Sequence, residues 1–186
     1  MAVTFTTSGT ASAGGVQQSY ALTHAALLEG QLSDIRDNTI GTYINETAVV
    51  QPFGDVQVYN LAGTVANSAT TISGATGTVL GINILTYVDE TAVNSDSRPG
   101  VKIDQVMNVA NEGAVAVYVT GAVTPASTVR VLYSASGTGK AGQFSHAFAS
   151  GKTVRLSNAR FLTSTTSSGL AVLELNGPSF TLSADS

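Results

Sequence analysis

From Val49 onward, apolar and polar positions alternate in short runs with period two, the pattern of strands that bury one face. In GDVQVYNL, Val56 and Val58 alternate with polar neighbours, and in STVRVLYSA the positions Val129, Val131 and Tyr133 share one face. NSATTIS predicts a weaker, Thr-rich strand. Residues 78–88, TVLGINILTYV, form a near-continuous apolar run, which predicts a strand covered on both faces. VKIDQVMNVA and GAVAVYVTG predict a strand pair joined through Asn111-Glu112-Gly113, a short hairpin connection containing glycine. KTVRLSNARFL, GLAVLELNG and SFTLS add further short strands. ETAVNSDSRPG carries turn chemistry and several acidic residues, and predicts an exposed loop closing at Pro99-Gly100. Strands at spacings of about 8–12 residues predict an all-β domain, a compact β-barrel or sandwich, over residues 48–186.

Residues 1–47 read differently. MAVTFTTSGTASAGGVQQ is polar, rich in small residues and uncharged. Such a segment buries too little apolar surface to offset its own ordering, which costs about 1–2 kcal/mol per residue. It predicts an extended arm that orders on a partner. SYALTHAALLEG then reads in two ways: a short helix over 19–29 ending at Gly30, with Tyr20, Thr23 and Leu27 on one face, or a continuation of the arm.

Composition sharpens this picture. The 186 residues suffice for one core-forming domain with an appendage. Only 11% are charged, less than half the usual quarter, so much of the surface is expected to be covered in the working state. The net charge is −4, and Arg36, Arg98, Lys102, Arg130, Lys140, Lys152, Arg155 and Arg160 are scattered. Nucleic-acid binding needs clustered cations to neutralise phosphates, so no nucleic-acid partner is expected. Without cysteine, disulfides, thiolate metal sites and cysteine catalysis drop out. The first 35 residues lack Lys and Arg, so no secretory signal is expected. The apolar stretch at 20–28 is too short to span a bilayer, so no membrane partner is expected either.

Reactive chemistry finds little support. Gly139-Lys140 and Gly151-Lys152-Thr153 echo phosphate-binding loops, but the required upstream glycine is Ser134 in one and His146 in the other. Turns with solvated lysines are the plainer reading. His24 and His146 stand in no metal-ligand spacing. No G-x-S-x-G elbow presents a serine nucleophile. Asp89, Glu90 and Asp96 fit neither an EF-hand nor a calcium repeat, and read as a solvated turn, with a weak calcium site over 89–96 as the alternative. Asn45-Glu46-Thr47 is formally a glycosylation sequon, meaningless without secretion. No catalytic residue, cofactor or metal is expected, and the chain is read as a non-enzyme.

One block carries a family likeness. In EGQLSDIRDNTIGTYINETAVVQPFGDVQVY, residues 29–59, the positions Gly30, Gln31, Leu32, Ser33 and Asp34, then Tyr43, Asn45 and Glu46, then Pro52, Phe53 and Gly54 follow one another as in a phage pattern. The block resembles the N-terminal region of phage head-decoration proteins of the structural-cement family. VLGINI, RPGVKIDQVMNVANEGAVAVYVTGAVTPASTVRV and NARFLTSTTSSGLAVLELNGP resemble that family's later strands in the same order. This chain departs from the pattern in having Asp55 where an Arg is usual and Gln51 where an aliphatic residue is usual.

The resemblance implies a capsid decoration (cement) protein, made in the host cytoplasm and placed on the outer surface of the virion. It would clamp neighbouring major capsid protein subunits against DNA pressure, and associate with itself as a homotrimer in preference to a dimer. It puts capsid contacts on Phe5, Tyr20, Leu27, Leu28, Gly30, Gln31, Leu32, Pro52 and Phe53. The alternatives are a phage or bacterial receptor- or carbohydrate-binding β-sandwich and, last, a small β-barrel hydrolase. Absent tryptophan and 6% aromatic content argue against a sugar platform.

Overall fold

A computed structural model describes residues 27–34, 37–86, 92–177 and 179–183. Phe5, Tyr20, Asp89 and Glu90 lie outside them, as does the expected helix over 19–29 except for residues 27–29, which lead into a turn at Glu29-Gly30. Among the described residues there is no helix.

The strands are β1 (Thr39–Ile44), β2 (Gln51–Pro52), β3 (Val56–Tyr59), β4 (Ala69–Thr71), β5 (Val79–Asn83), β6 (Gly100–Val101) and β7 (Val106–Val119). They continue with β8 (Arg130–Leu132), β9 (Phe144–Ser145), β10 (Thr153–Leu156), β11 (Ala159–Phe161), β12 (Gly169–Asn176) and β13 (Leu182–Ser183). Eleven join one sheet, while β2 and β6 pair separately. The long path of the main sheet runs from β13 to β4 without rejoining, so the fold is sandwich-like and not a closed barrel. All its strand pairs are antiparallel except β7 with β9.

β7 is the spine. Its first half lies between β1 and β5, which both pair with Ala110. Its second half lies between β12 and residues 30–33, with Val115 opposite Leu173 on one edge and Leu32 on the other. The expected hairpin at Asn111-Glu112-Gly113 is therefore corrected: these residues lie inside one 14-residue strand. Thr39 pairs with Glu112 and Ile40 with Ala110, so Asn111 is an extra residue, a β-bulge. The bulge exchanges the faces of the strand. Met107 and Val109 belong to a small cluster with Phe53, Leu80 and Val101, whereas Val115, Val117 and Val119 belong to the main core. Side chains alternate faces, so only an inserted residue puts positions of the same parity on opposite sides. Gly113 follows at φ +119°, where Asn38 occupies the space a Cβ would need.

The main core gathers Val56, Val58, Val79, Ile82, Phe144, Val154, Phe161 and Leu173 with the β7 valines. The smaller cluster covers the opposite face near β5. Together they bury every residue of β5, as its unbroken apolar run predicts. The buried exception in that run is Asn83, whose side-chain amide donates to the carbonyls of Gln51 (3.0 Å) and Pro52 (2.9 Å). That pair of bonds fixes the two-stranded β2–β6 sheet to the main one.

Candidate functional site

Three segments far apart in sequence meet at the guanidinium of Arg98. Its Nη1 donates to Asp55 Oδ2 at 2.9 Å, and its Nη2 to Asp55 Oδ1 at 2.5 Å. Nη2 also donates to Glu29 Oε1 at 2.6 Å and to the Phe53 carbonyl at 3.4 Å. The loop supplying Arg98 is shaped by Asn94, whose side-chain oxygen accepts from the amides of Asp96 and Arg98 at 2.9 Å each. Most of that loop is exposed as expected, but Arg98 points inward.

Burial pushes the Asp55 carboxyl up to about 7, against the pull of Arg98. Burial likewise raises Glu29. Two carboxylates thus share one guanidinium at a largely buried site, where each ion depends on its partner.

The same place is a close backbone crossing. Gly30 (φ +80°) and Gly54 (φ +78°) face each other, and a Cβ on Gly30 would lie 2.8 Å from Phe53 Cβ. A Cβ on Gly54 would collide with Glu29 Cγ. Left-handed backbone and absent side chain are both required here, which is why two glycines stand at these positions. Backbone bonds complete the joint: Gly30 N to Ala116 O, Ala116 N to Gln31 O, Ser33 N to Ala114 O and Leu85 N to Gly30 O, all 2.8 Å. Residues 30–33 thus extend the sheet along β7, and β1 pairs with its first half, although both segments belong to the stretch expected as an arm.

The remaining motif residues also fasten loops. Asn45 is fully buried. Its amide donates to the carbonyls of Val49, Val101 and Lys102, and its oxygen accepts from the Thr47 amide and hydroxyl. Glu46 accepts from the amides of Thr64 and Val65 and from the Thr64 hydroxyl, which hold its carboxyl down at about 2. Tyr43 meets Tyr59 edge to face, ring centres 6.1 Å apart. Gln51 is buried, and its side-chain oxygen accepts from the Thr71 amide (2.7 Å) and hydroxyl (2.6 Å), covering the end of β4.

Beside the Arg98 cluster opens a cleft of about 560 Å3, lined by Val49, Val50, Pro52, Ile72, Val93 and Ile103 among others. Asp55 and Arg98 also line it, together with an Asp96–Lys140 ion pair of 2.8 Å.

Of the expected capsid contacts, Gly30, Pro52 and Phe53 are buried in the chain's own interior, and Leu32 packs on the main core. Leu28 is 61% exposed, Gln31 is exposed and Leu27 half-buried. The structure brings Gly30 and Phe53 together at one joint, with Pro52 adjoining. It leaves Leu28 and Gln31 facing outward. Asp96 is exposed, and no group of three or more His, Asp or Glu side chains able to hold a metal occurs among the described residues. The sequence reading missed Glu29, Asp55 and Arg98 as a unit; the one available signal was Asp55, a charge inside the apolar stretch PFGDVQV.

The described site is an ion-locked backbone crossing beside an apolar cleft, and the family comparison places the chain among structural proteins. The model of the phage structural cement protein family, described as "Structural cement protein (E217 gp24/Pam3 gp6)", matches residues 16–176. The chain belongs to that family, and its role is capsid decoration and stabilisation in a bacteriophage virion. A solved chain from "The capsid of Myoviridae Phage XM1" has the same fold, with a TM-score of 0.60 at 17% identity, covering 84% of this chain and 94% of that one. No curated protein sequence matches.

Proposed function

We propose that this chain sits on the outer surface of the phage head and clamps neighbouring major capsid protein subunits without performing chemistry. Membership of the cement family over residues 16–176 carries the reading. Its host-cytoplasm origin and its action as a homotrimer belong to the same proposal. The β-sandwich acts as the rigid body, and the residues before Glu29 act as the arm, with Tyr20, Leu27 and Leu28 as its capsid contacts and Gln31 as a contact on the body beside it. An uncharged arm rich in Gly, Ser and Thr suits binding through main-chain hydrogen bonds along exposed capsid strands. Several arms on one oligomer bind together, so modest single contacts give slow release.

The test is deletion of residues 1–26, which leaves Glu29 and the 30–33 pairing intact. The truncated protein is expected to keep its unfolding midpoint and to stop co-sedimenting with undecorated expanded heads. Normal co-sedimentation by the truncated protein refutes the arm.

A further inference from the structure

The cleft beside Arg98 is the least explained surface of the molecule. Val49, Val93 and Ile103 line it and are 59%, 52% and 46% exposed. Unlike the scattered exposed residues such as Leu61 and Phe148, these three line one concave site, and its volume falls in the range that takes a ligand or a few side chains. We propose that it receives residues 2–6 of a second copy of this chain, Val3 and Phe5 entering between Val49, Val93 and Ile103.

Three observations select that occupant. The first is charge. Residues 1–28 contain no Asp, Glu, Lys or Arg. The cleft's own ions are paired within the chain, Asp55 with Arg98 and Asp96 with Lys140. A guest without charged side chains meets no unpaired side-chain ion there, whereas a charged side chain would be desolvated without a partner.

The second is pattern. AVTFT alternates small or apolar with threonine, so an extended strand would put Val3 and Phe5 on one side. The cleft wall includes Thr70 and Thr71 of β4, whose Thr71 amide already bonds Gln51, so the guest enters by its side chains and not as an added strand.

The third is length. Glu29 is bonded to Arg98, which itself lines the cleft, so the arm leaves the body at the cleft's edge. Filling its own cleft would take only a few residues. The stretch from Thr6 to Leu27 reaches about 70 Å when extended, against a body diameter of about 40 Å for a chain this long. Such a spacer suits a neighbour. The inference goes beyond capsid attachment: it gives residues 2–6 to an adjacent cement copy and leaves the segment around Tyr20 to the capsid.

Because the chain lacks cysteine, single cysteines report the contact directly. Full-length Phe5→Cys and Ile103→Cys chains, mixed and mildly oxidised without capsids, should form the Phe5–Ile103 cross-link, identified by peptide mass spectrometry. Phe148 is exposed and does not line the cleft, so the Phe5→Cys with Phe148→Cys mixture serves as control. A yield no greater than the control overturns the proposal. So does a doubly substituted chain that cross-links only within itself. Independently, Ile103→Asp should weaken self-association by about tenfold, the effect of losing one buried apolar anchor, with an unchanged urea midpoint; unaltered self-association overturns the proposal. Capsid attachment is read separately by co-sedimentation. Loss of the cross-link with attachment intact removes this inference alone, and the reverse result removes only the attachment reading.

Discussion

Replacing Arg98 by methionine tests the joint that fastens Glu29 to the Phe53 turn and the 94–98 loop. Methionine keeps much of the arginine stem's packing and removes only the fork. Asp55, with a side chain 1% exposed, then loses both of its charged contacts, while Glu29, 18% exposed, turns toward water. Removing one partner of a buried ion pair costs about 3–5 kcal/mol. Asp55, already raised to about 7 beside Arg98, then takes up a proton at neutral pH, so the cost lies in protonating it and in the hydrogen bonds left unmade. That is a large share of the roughly 5–15 kcal/mol that holds a domain folded. With an m-value of about 2 kcal/mol/M, the urea midpoint should fall by roughly 2 M. Leucine at Asp55 in the Arg98→Met background should restore most of the loss, since two apolar groups need no partner. The double-mutant coupling should then be about 2 kcal/mol or more. Hydrogen exchange adds a local readout: the amides of Gly30 and Ser33, bonded to β7 at 2.8 Å, should exchange faster in Arg98→Met. A loss under about 1 kcal/mol, or a double variant as unstable as the sum of the singles, would show that the ion cluster is incidental.

The same cluster sets a pH dependence. Asp55 rises from 3.8 to about 7 on folding, so the folded chain holds an extra proton between those values and stability falls as pH climbs through that window. Glu46, lowered from 4.5 to about 2, acts oppositely, and its contribution disappears as pH drops through that range. Urea midpoints across pH should peak near 4–5 (bounded by those shifts), and Asp55→Asn should flatten the upper limb. Gly54→Ala forces φ +78° on a side chain that collides with Glu29; a loss of about 2–4 kcal/mol in the same assay is expected. Deleting Asn111 removes the bulge and turns Val115, Val117 and Val119 off the main core; three valines at about 1.5–3 kcal/mol each make an unfolded product, visible by circular dichroism.

The sandwich was legible because its signals are local. Period two marks Val129 and Val131, and an unbroken apolar run marks β5, which is covered on both faces. The bulge was not, for a physical reason. Glycine after two polar residues serves a hairpin and a kinked strand equally well. The choice between them lies in TIGTYI, residues 39–44, whose pairing with β7 leaves Asn111 over. The ion cluster was hidden for the same kind of reason. Arg98 lies 43 residues from Asp55 and 69 from Glu29, and single charges carry no period. The family-like motif at 30–54 was legible as a pattern, yet its residues do work that no pattern states: Gly30 and Gly54 let two backbones cross, and Asn45 and Glu46 close loops.

These placements bear on how residues 27–33 would carry a load passed to them by the proposed arm. A pull on residues before Leu27 first reaches Glu29, where Arg98 ties it to the Phe53 turn and to the 94–98 loop. It next reaches residues 30–33, whose backbone bonds lie along β7. Bonds of an antiparallel ladder run perpendicular to the strands, so a pull along the strand loads the ladder bonds together and does not open them one at a time. β7 is in turn held by β1, β5 and β12 and buried by both core clusters. The ion cluster therefore adds geometry as well as stability: it holds Glu29 where residues 30–33 run along the spine and their bonds act together. A lysine at position 98 would retain the charge but lose the fork that reaches Asp55 and Glu29 together. On this reasoning the planar geometry of Arg98, and not its charge alone, is what the joint requires.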